Sequence, residues 1–435
     1  MSFAGCSGGG GGSSTPVLPP PPPPTSPPHN GSPIKHIVII VQENRTVDNL
    51  FHGFPGADTV GISSNRKRLV PIGLTTSWDI RHWHRDWKAA FDDGAMDGWD
   101  REACLSKKCP ANAPYAYVPP SEVRPYWEIA RQYGFANRMF QTQQGPSFPA
   151  HQYLISGTSM IGSGSRRRAA ENPAGLEKFV GGCDSKPGSL VMTIGDHGDE
   201  GKPVFPCFDR PSIFTLLDAA GLSWRYYQAS TGSGLWNGVD ALKPLCPTAP
   251  CDGNPEYSRN VVVPSARVLS DAAHGHLADL TFVTPTFLAS DHASVTDGSG
   301  PDWVGTVVNA VGRSRYWKST AIFVTWDDWG GWYDHVKPPI YDSFTDGFRV
   351  PLLVISPYAK RGYISNNEHD FGSLLKFAEQ TFGLPSLGMT DARSDDLSDF
   401  FSFSRSPREF HPIPTRRQSL YFVANEWTFQ PPDND

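Results

Sequence analysis

The chain has 435 residues, of which 38% are hydrophobic and 19% charged, and its formal net charge at pH 7 is −6. This length allows one large α/β domain or two ordinary domains, and the composition is that of a globular protein. The negative charge argues against a nucleic-acid partner, because such proteins usually carry a basic face, and the longest apolar runs are too short to span a bilayer.

The first 33 residues are predicted to lie outside the folded domain. Small residues precede Cys6, as they do at the end of a bacterial lipoprotein signal, where the cysteine becomes lipidated. Gly, Ser and Pro dominate residues 6–33, a composition that cannot bury apolar area and favours an extended spacer. We expect membrane attachment through a lipidated Cys6 and an extracytoplasmic location, as a bacterial cell-envelope lipoprotein or a secreted protein.

Six of the seven cysteines fall into three local pairs. The pairs are Cys104 with Cys109, Cys183 with Cys207, and Cys246 with Cys251. Each pair encloses a loop that a disulfide would restrain. A zinc site would need a two-residue spacing and further Cys or His ligands, which these pairs lack. The pattern therefore predicts disulfides and an oxidising compartment.

Apolar strand patterns alternate with helical patterns from Ile34 onward. Runs rich in β-branched residues predict strands at Ile34–Val41, Leu280–Val283, Thr320–Thr325 and Val350–Ile355. Helical periodicity predicts helices at Arg124–Tyr133, Ser212–Ala220, Trp303–Arg313 and Phe371–Phe382. The alternation predicts an α/β fold, a three-layer sandwich with a mainly parallel central sheet. We expect one domain over residues 34–435, with an insertion around residues 160–270, where periodicity is weak.

Polar residues directly follow two of the predicted strands. Glu43 and Asn44 follow the first strand, and Asp327 and Asp328 follow the strand that ends at Thr325. The carboxyl ends of parallel strands meet at one edge of a sheet, where ligand sites form. Three carboxylates and an amide oxygen suit a hard divalent cation, without which the charges would repel. An Asp-Asp pair is also a common helix cap, but two such segments at two strand ends favour a metal site.

A tight turn at Gly145-Pro146 places Ser147 at the start of a predicted helix that continues to Ile155. Unpaired backbone amides and the helix dipole stabilise an anion at such a position, including a phosphate on the serine. Ser147 is therefore a candidate nucleophile, with a simple N-cap as the alternative.

Five motifs, in this order along the chain, resemble those of the bacterial phosphoesterase family of the phospholipase C and acid phosphatase type, which belongs to the alkaline phosphatase superfamily. They are ENRTVDNLF at Glu43–Phe51, GPSFP at Gly145–Pro149, DDWGGWYDHV at Asp327–Val336, GFRVP at Gly347–Pro351 and SLLKF at Ser373–Phe377. The resemblance covers about residues 34–403. It implies an alkaline-phosphatase-like fold for the catalytic domain.

The resemblance also implies roles for individual residues. It implies one divalent metal ion held by Glu43, Asn44, Ser147, Asp327 and Asp328. It implies catalytic roles for Ser147, His292 and His335, and substrate-binding roles for His82, His84 and Asp334. His82 and His84 compete for one histidine position of the family, and Asp334 is expected to orient the His335 ring. Many relatives have Asp then Glu at positions 327–328, so Ca, Mg, Mn and Zn all stay candidates for the ion.

We therefore predict metal-dependent hydrolysis of phosphate esters, phospholipids among them, through a phosphoseryl intermediate on Ser147. A serine carboxylesterase is the first alternative, but the chain has no Gly-x-Ser-x-Gly elbow. A non-catalytic, surface-anchored glycan-binding protein that uses the 13 tryptophans is the second. Preference between phosphomonoesters and phosphodiesters is left open at this stage.

Overall fold

The computed structural model describes residues 1, 32–105, 108–175 and 180–425. Cys6 and most of the predicted spacer lie outside the described residues. The strands are β1 His36–Gln42, β2 Val70–Pro71, β3 Ala116–Tyr117, β4 Gly134–Ala136, β5 Arg167–Ala169, β6 Val191–Gly195, β7 Glu200–Val204, β8 Trp224–Tyr227, β9 Val261–Val262, β10 Leu280–Val283, β11 Thr320–Trp326, β12 Leu352–Ile355 and β13 Tyr363–Ser365. The α-helices are α1 Val47–Leu50, α2 His84–Phe91, α3 Arg124–Gln132, α4 Ser147–Ser156, α5 Ile213–Ala219, α6 Pro255–Asn260, α7 Arg267–His274, α8 Gly300–Gly312, α9 Phe371–Phe382, α10 Thr390–Arg393 and α11 Ser419–Ala424.

Eight strands form the central sheet, in the order β13-β4-β12-β11-β1-β10-β8-β9. β1 lies near the middle and pairs in parallel with both β10 and β11. β12 runs against its two neighbours, β11 and β4. The remaining pairs are parallel, so the prediction of a mainly parallel sheet is confirmed.

Two groups of helices cover this sheet. Helices α3, α7 and α8 pack together, and helices α4, α5 and α9 form a second group. Every residue of β11 is buried, as are six of the seven residues of β1, so both faces of these strands are covered. Each buried Ile or Val side chain contributes about 1.5–3 kcal/mol to folding. The three-layer α/β arrangement predicted from the sequence is confirmed.

Residues 160–270, where we expect an insertion, divide into two parts. Strands β5, β6 and β7 form a separate antiparallel sheet. Strands β8 and β9 instead join the central sheet beside β10. The small sheet therefore stands apart from the central sheet, and the insertion around residues 160–270 stays a prediction.

All three predicted disulfides are formed. Their Cα–Cα distances are 5.8 Å for Cys104–Cys109, 4.5 Å for Cys183–Cys207 and 4.9 Å for Cys246–Cys251. These crosslinks are consistent with an oxidising, extracytoplasmic environment. Among the described residues, no α-helix has both the length and the apolar character needed to cross a membrane.

Candidate active site

The candidate site lies where β1 and β11 end. These parallel neighbours pair Gln42 with Trp326, so the residues after each strand stand side by side. The backbone amide of Asn44 donates a 3.0 Å hydrogen bond to Asp327 Oδ1. The two polar segments that the sequence places at one sheet edge are therefore in contact. Their carboxylate and amide side chains are at most 1% exposed: Glu43, Asn44, Asp327 and Asp328.

An unusual backbone conformation orients Asn44. Its φ angle is +62°, a left-handed conformation that costs a non-glycine residue about 1–2 kcal/mol. A Cβ atom on Gly330 would lie 2.4 Å from Asn44 O, so only glycine allows the loop after Asp328 to approach this closely. Such strain often marks functional sites. Here it turns the Asn44 amide toward the buried carboxylates.

Ser147 is the first residue of α4, directly after the Pro146 N-cap. Its hydroxyl donates a 3.3 Å hydrogen bond to Asp328 Oδ2, while Asp328 Oδ1 accepts a 2.7 Å bond from the Gly330 amide. Ser147 therefore stands at a helix N-terminus and against the acidic pair, the position in which a developing negative charge is stabilised. A serine carboxylesterase instead pairs its nucleophile with a histidine.

His151 joins this group, although the sequence analysis assigns it no role. Its Nε2 atom lies 3.2 Å from Glu43 Oε1 and 3.9 Å from Asp327 Oδ2. Burial lowers the pKa of His151 to about 4, against a smaller opposing effect of the Asp327 charge. The imidazole is therefore neutral at pH 7, the form that binds metals. Its position four residues after Ser147 is the signal in the sequence, because such residues share one helix face.

The residues present fit a divalent metal ion. Glu43, His151 and Asp327 each offer a ligand atom, and these atoms lie within 4.8 Å of one another. Asn44 Oδ1 and Asp327 Oδ2 are buried and accept no hydrogen bond from any described residue. Such oxygens are costly to bury unless a cation meets them. Carboxylate, amide and imidazole groups are the usual ligands of divalent metals in proteins.

Of the two competing histidines, His82 is the one in contact with the acidic group. Its Nε2 atom lies 2.9 Å from Asn44 Nδ2 and 3.8 Å from Asp328 Oδ2. Its Nδ1 atom lies 2.8 Å from Ile80 O, which places the ring proton on Nδ1. His84 binds the Gln144 carbonyl through Nδ1 at 2.8 Å, and burial lowers its pKa.

His292 lies beside His82, with 6.2 Å between the ring centroids. Its Nδ1 atom lies 2.7 Å from Ala293 O and 3.6 Å from Asp79 Oδ2. The carbonyl places the proton on Nδ1, so Nε2 is the basic nitrogen. His292 thus lies next to the His82 side of the acidic group.

His335 and Asp334 belong to a neighbouring cluster. His335 Nδ1 lies 2.7 Å from Asp48 Oδ2 and Nε2 lies 3.2 Å from Asp58 Oδ1. Asp334 accepts two hydrogen bonds from Arg349, of 2.7 and 3.0 Å. The residue that orients the His335 ring is therefore Asp48, whereas Asp334 binds the guanidinium. The sequence gives no local signal for these contacts, because Asp48 lies some 287 positions from His335.

Two solved structures align with most of this chain, but their TM-scores are low. A protein in the alkaline phosphatase superfamily from Vibrio parahaemolyticus has a TM-score of 0.39 and 11% identity, over 85% of this chain and 72% of its own. Murine ectonucleotide pyrophosphatase/phosphodiesterase 5 has a TM-score of 0.40 and 10% identity, over 85% of this chain and 100% of its own.

Several curated proteins are similar in sequence. Phospholipase C A from Mycobacterium tuberculosis is 25% identical over 87% of this chain and 79% of its own length. Non-hemolytic phospholipase C from Pseudomonas aeruginosa is 23% identical over 91% of this chain, which spans 61% of that relative's length. Non-specific phospholipase C1 from Arabidopsis thaliana is 23% identical over 89% of this chain and 75% of its own length.

The sequence model of the Phosphoesterase family matches residues 34–385, which is most of the chain. This range includes Glu43, Ser147 and Asp328, the residues whose contacts define the candidate site. The chain therefore belongs to the Phosphoesterase family, and the prediction of a phosphoric ester hydrolase is confirmed at the level of that family.

Proposed function

We propose that the protein hydrolyses phosphate esters in two steps, with Ser147 as the nucleophile and a phosphoseryl intermediate. The observation that carries this proposal is the contact of Ser147 Oγ with Asp328 Oδ2, beside the Asn44–Asp327 contact. In the first step the Ser147 hydroxyl gives its proton to Asp328 Oδ2 and its oxygen bonds to phosphorus, while the bond from phosphorus to the alcohol oxygen breaks and that oxygen takes a proton from protonated His292. In the second step water gives a proton to His292 and attacks phosphorus, the bond to the Ser147 oxygen breaks, and the serine takes its proton back from Asp328. A monoester substrate then releases phosphate, and a diester releases a phosphomonoester.

One divalent metal ion is part of this proposal. Its ligands would be Glu43, Asn44, Ser147, Asp327 and Asp328, with His151 as the nitrogen donor at the same place. An ion held by these residues would lower the pKa of an attacking hydroxyl and would neutralise phosphate oxygens. The two unpartnered oxygens, Asn44 Oδ1 and Asp327 Oδ2, support this assignment.

His292 is the proposed proton carrier, and His82 is a proposed positioning residue. Each ring donates through Nδ1 to a backbone carbonyl, so Nε2 of His292 is the nitrogen that would exchange a proton, whereas Nε2 of His82 faces Asn44 Nδ2. We assign protonation of the leaving alcohol to His292 and orientation of the Asn44 amide to His82. His335, which contacts Asp48, would act as a positioning residue through the loop that follows Asp328.

The proposed substrates are phosphate esters of alcohols, including phospholipids, in the extracytoplasmic space. The similarity to proteins named phospholipase C supports the lipid ester. Lipidation of Cys6, which would keep the enzyme at a membrane, is part of the same proposal. Rates measured on 4-nitrophenyl phosphate, bis(4-nitrophenyl) phosphate and phosphatidylcholine vesicles would establish the preference among monoester, diester and lipid.

The decisive variant is Ser147→Ala. We expect turnover of 4-nitrophenyl phosphate to fall by at least about 10³-fold, with an unchanged melting temperature. Acid quenching of the parent enzyme with labelled substrate should trap phosphate on Ser147. Ser356→Ala is the matched control, because this buried serine bonds Thr320 O at the opposite end of the strands. Near-normal rates in Ser147→Ala would remove the proposal.

A further inference from the structure

The small antiparallel sheet of β5, β6 and β7 carries apolar side chains on both of its faces. Val191 of β6 pairs with Val204 of β7, and both belong to the apolar cluster that contains Phe148. Phe148 directly follows Ser147, so this face of the sheet lies against the start of α4. An antiparallel sheet with one packed face usually exposes polar side chains on the other. Apolar residues on the opposite face therefore need their own explanation.

Leu190, Met192 and Phe205 lie on that opposite face. Side chains alternate along a strand, so Leu190 and Met192 point away from the side that Val191 faces. One position beyond the Val191–Val204 pair, the register sets Phe205 opposite Leu190. All three side chains are exposed, by 44% for Leu190, 41% for Met192 and 37% for Phe205. We call them the apolar patch, because exposed apolar side chains that lie together mark a binding surface, whereas scattered single ones do not.

The loop that connects β11 to β12 lies on the same face of the small sheet. Arg168 is the register partner of Ile194, two residues after Met192, so the three side chains share that face. Arg168 Nη2 lies 3.0 Å from Oδ2 of Asp342 in the loop. Two more exposed apolar residues are at the tip of this loop: Ile340 and Tyr341. The apolar surface thus continues from the small sheet onto the loop that leaves the candidate active site.

Positive charge borders the apolar patch. Lys186 lies in the turn that precedes Leu190, and Lys202 lies in β7, with both side chains exposed. The acidic residues of the turn between β6 and β7 pair with arginines, at 2.6 Å for Asp199–Arg167 and 3.6 Å for Asp196–Arg168. Apolar side chains bordered by lysines match the surface of a phospholipid bilayer, where phosphate oxygens lie just above the acyl chains.

The edge strand β7 does not suit pairing with a strand of another protein. It contains Lys202 and Pro203, and its register with β6 shifts between Val191 and Thr193, as at a β-bulge. Lysine, proline and bulges at a sheet edge are the features that block the addition of a further strand. A partner that contacts only the side chains of the face is therefore favoured, and a bilayer is such a partner.

We propose that the apolar patch docks the protein on a phospholipid bilayer. This inference rests on the proposed function, since it names the surface that would bring a lipid ester to the candidate site. The distance along the structure is short, because Ala170 N donates a 2.9 Å hydrogen bond to Met192 O. A Cβ atom on Gly145 would lie 2.6 Å from Ala170 O. One strand therefore separates the patch from the turn that leads to Ser147.

The test measures binding to vesicles rather than hydrolysis. The parent is the full chain with Cys6→Ser, so that no lipid anchor can hold it, and Ser147→Ala, so that the lipid is not consumed. It should sediment with vesicles of phosphatidylcholine that contain about 30% phosphatidylglycerol. Adding Leu190→Ser and Phe205→Ser should weaken binding by at least about tenfold, because two apolar side chains no longer insert. No binding of the parent at about 1 mM lipid, where a single acyl chain already binds, would overturn the proposal.

The matched control combines Leu420→Ser with Val423→Ser. These residues are also exposed and apolar, but they lie on α11, which packs against α8 in the helix group that does not include α4. The control should bind vesicles as the parent does, and equal binding of the two double variants would overturn the proposal. A lipid-free dimer that Leu190→Ser with Phe205→Ser separates into monomers would also overturn it, because a second copy would then cover the patch.

Hydrolysis by the otherwise native chain separates docking from chemistry. Leu190→Ser with Phe205→Ser should keep the rate on 4-nitrophenyl phosphate and lose at least about fivefold on phosphatidylcholine vesicles below saturation. An equal loss on both substrates would assign the patch to the fold or the chemistry and would overturn docking. Failure of the proposed function is distinguishable, because Ser147→Ala is measured on 4-nitrophenyl phosphate without vesicles.

Discussion

Two buried acidic clusters lie at the same edge of the sheet and differ in how their charge is balanced. In the first, which we call the metal cluster, Glu43 contacts His151 and Asp328 contacts His82 and Ser147, beside Asp327. In the second, which we call the arginine cluster, Asp48 and Asp334 surround Arg349 and His335. The arginine cluster contains a guanidinium group, whereas no arginine or lysine among the described residues pairs with the metal cluster.

The two clusters also differ in how their carboxylate oxygens are hydrogen-bonded. Both oxygens of Asp334 bind Arg349, and both oxygens of Asp48 accept hydrogen bonds, from Val60 N and from His335. In the metal cluster, Asp327 Oδ2 and Asn44 Oδ1 accept none from the described residues. Clustered carboxylates alone therefore do not identify a metal site. Buried oxygens without donors are the distinguishing observation.

The largest expected effect is on the arginine cluster. Arg349→Met removes a fully buried cation and leaves Asp48 and Asp334 unbalanced, which should lower the free energy of unfolding by about 3–5 kcal/mol. Urea denaturation would measure it. Arg138→Met is the control, because its pair with Asp58 is partly exposed and should contribute less than about 1 kcal/mol. A small effect in Arg349→Met would mean that the cluster is not balanced by this residue.

A substitution in the metal cluster should lower activity without lowering the stability of the metal-free protein. Asp327→Asn removes a proposed metal ligand, so kcat/KM for 4-nitrophenyl phosphate should fall by about 10²–10³-fold. In metal-free protein the same change relieves repulsion, and the free energy of unfolding should stay equal or rise. Asp334→Asn, matched in chemistry and burial, should instead destabilise the metal-free protein. Equal destabilisation of the metal-free protein by Asp327→Asn and Asp334→Asn would show that the two clusters do not differ in how their charge is balanced.

Removal of metal sharpens the comparison further. Dialysis against a chelator should abolish hydrolysis, and adding back one divalent metal should restore it. At a free metal concentration of about 100 times Kd, binding should stabilise the fold by about 2.7 kcal/mol. Metal should stabilise the Arg349→Met variant by the same amount, since this substitution changes the arginine cluster and not the metal cluster. Full activity in thoroughly chelated enzyme would contradict the metal assignment.

The smallest effect concerns pH and the arginine cluster. Burial acts to lower the pKa of His335, but its hydrogen bond with Asp48 and the charges of Asp48 and Asp334 outweigh it, so the pKa is raised. The stability that this interaction contributes is present below the ordinary histidine pKa of about 6.5 and is lost as pH rises through the raised value. Unfolding measured from pH 5.5 to 8.5 should show this decline. In His335→Gln the decline should be flatter, and an unchanged slope would exclude His335 as its source.

Much of the scaffold follows from local patterns. Leu280–Val283 and Phe371–Phe382 have the same bounds in the sequence prediction and in the structure, because a short β-branched run and a long periodic one are clear signals. β8 was outside the predicted elements, since Trp224, Arg225 and two tyrosines show no apolar run. The direction of β12 also escapes such patterns, which indicate a strand but not its orientation.

Some contacts of the candidate site could be predicted from local sequence patterns, and others could not. The residues after β1 and β11 could be placed together because parallel strands share an edge. His151 could have been assigned from its spacing to Ser147. The pairing of Asp48 with His335 and of Asp334 with Arg349 depends on the folded path of long loops, which local periodicity does not contain. Which oxygens lack donors is likewise decided only by the assembled structure.

Because β12 runs antiparallel to β11, the loop from Asp327 to Pro351 begins and ends at the same edge of the sheet. A parallel successor would have needed a crossover ending on the far side. Gln144 N donates a hydrogen bond to Phe344 O, so this loop contacts the turn that precedes Ser147. Its tip exposes Ile340 and Tyr341. Grafting a different tip from a homologue would thus change the rim of the reaction centre while every strand keeps its place.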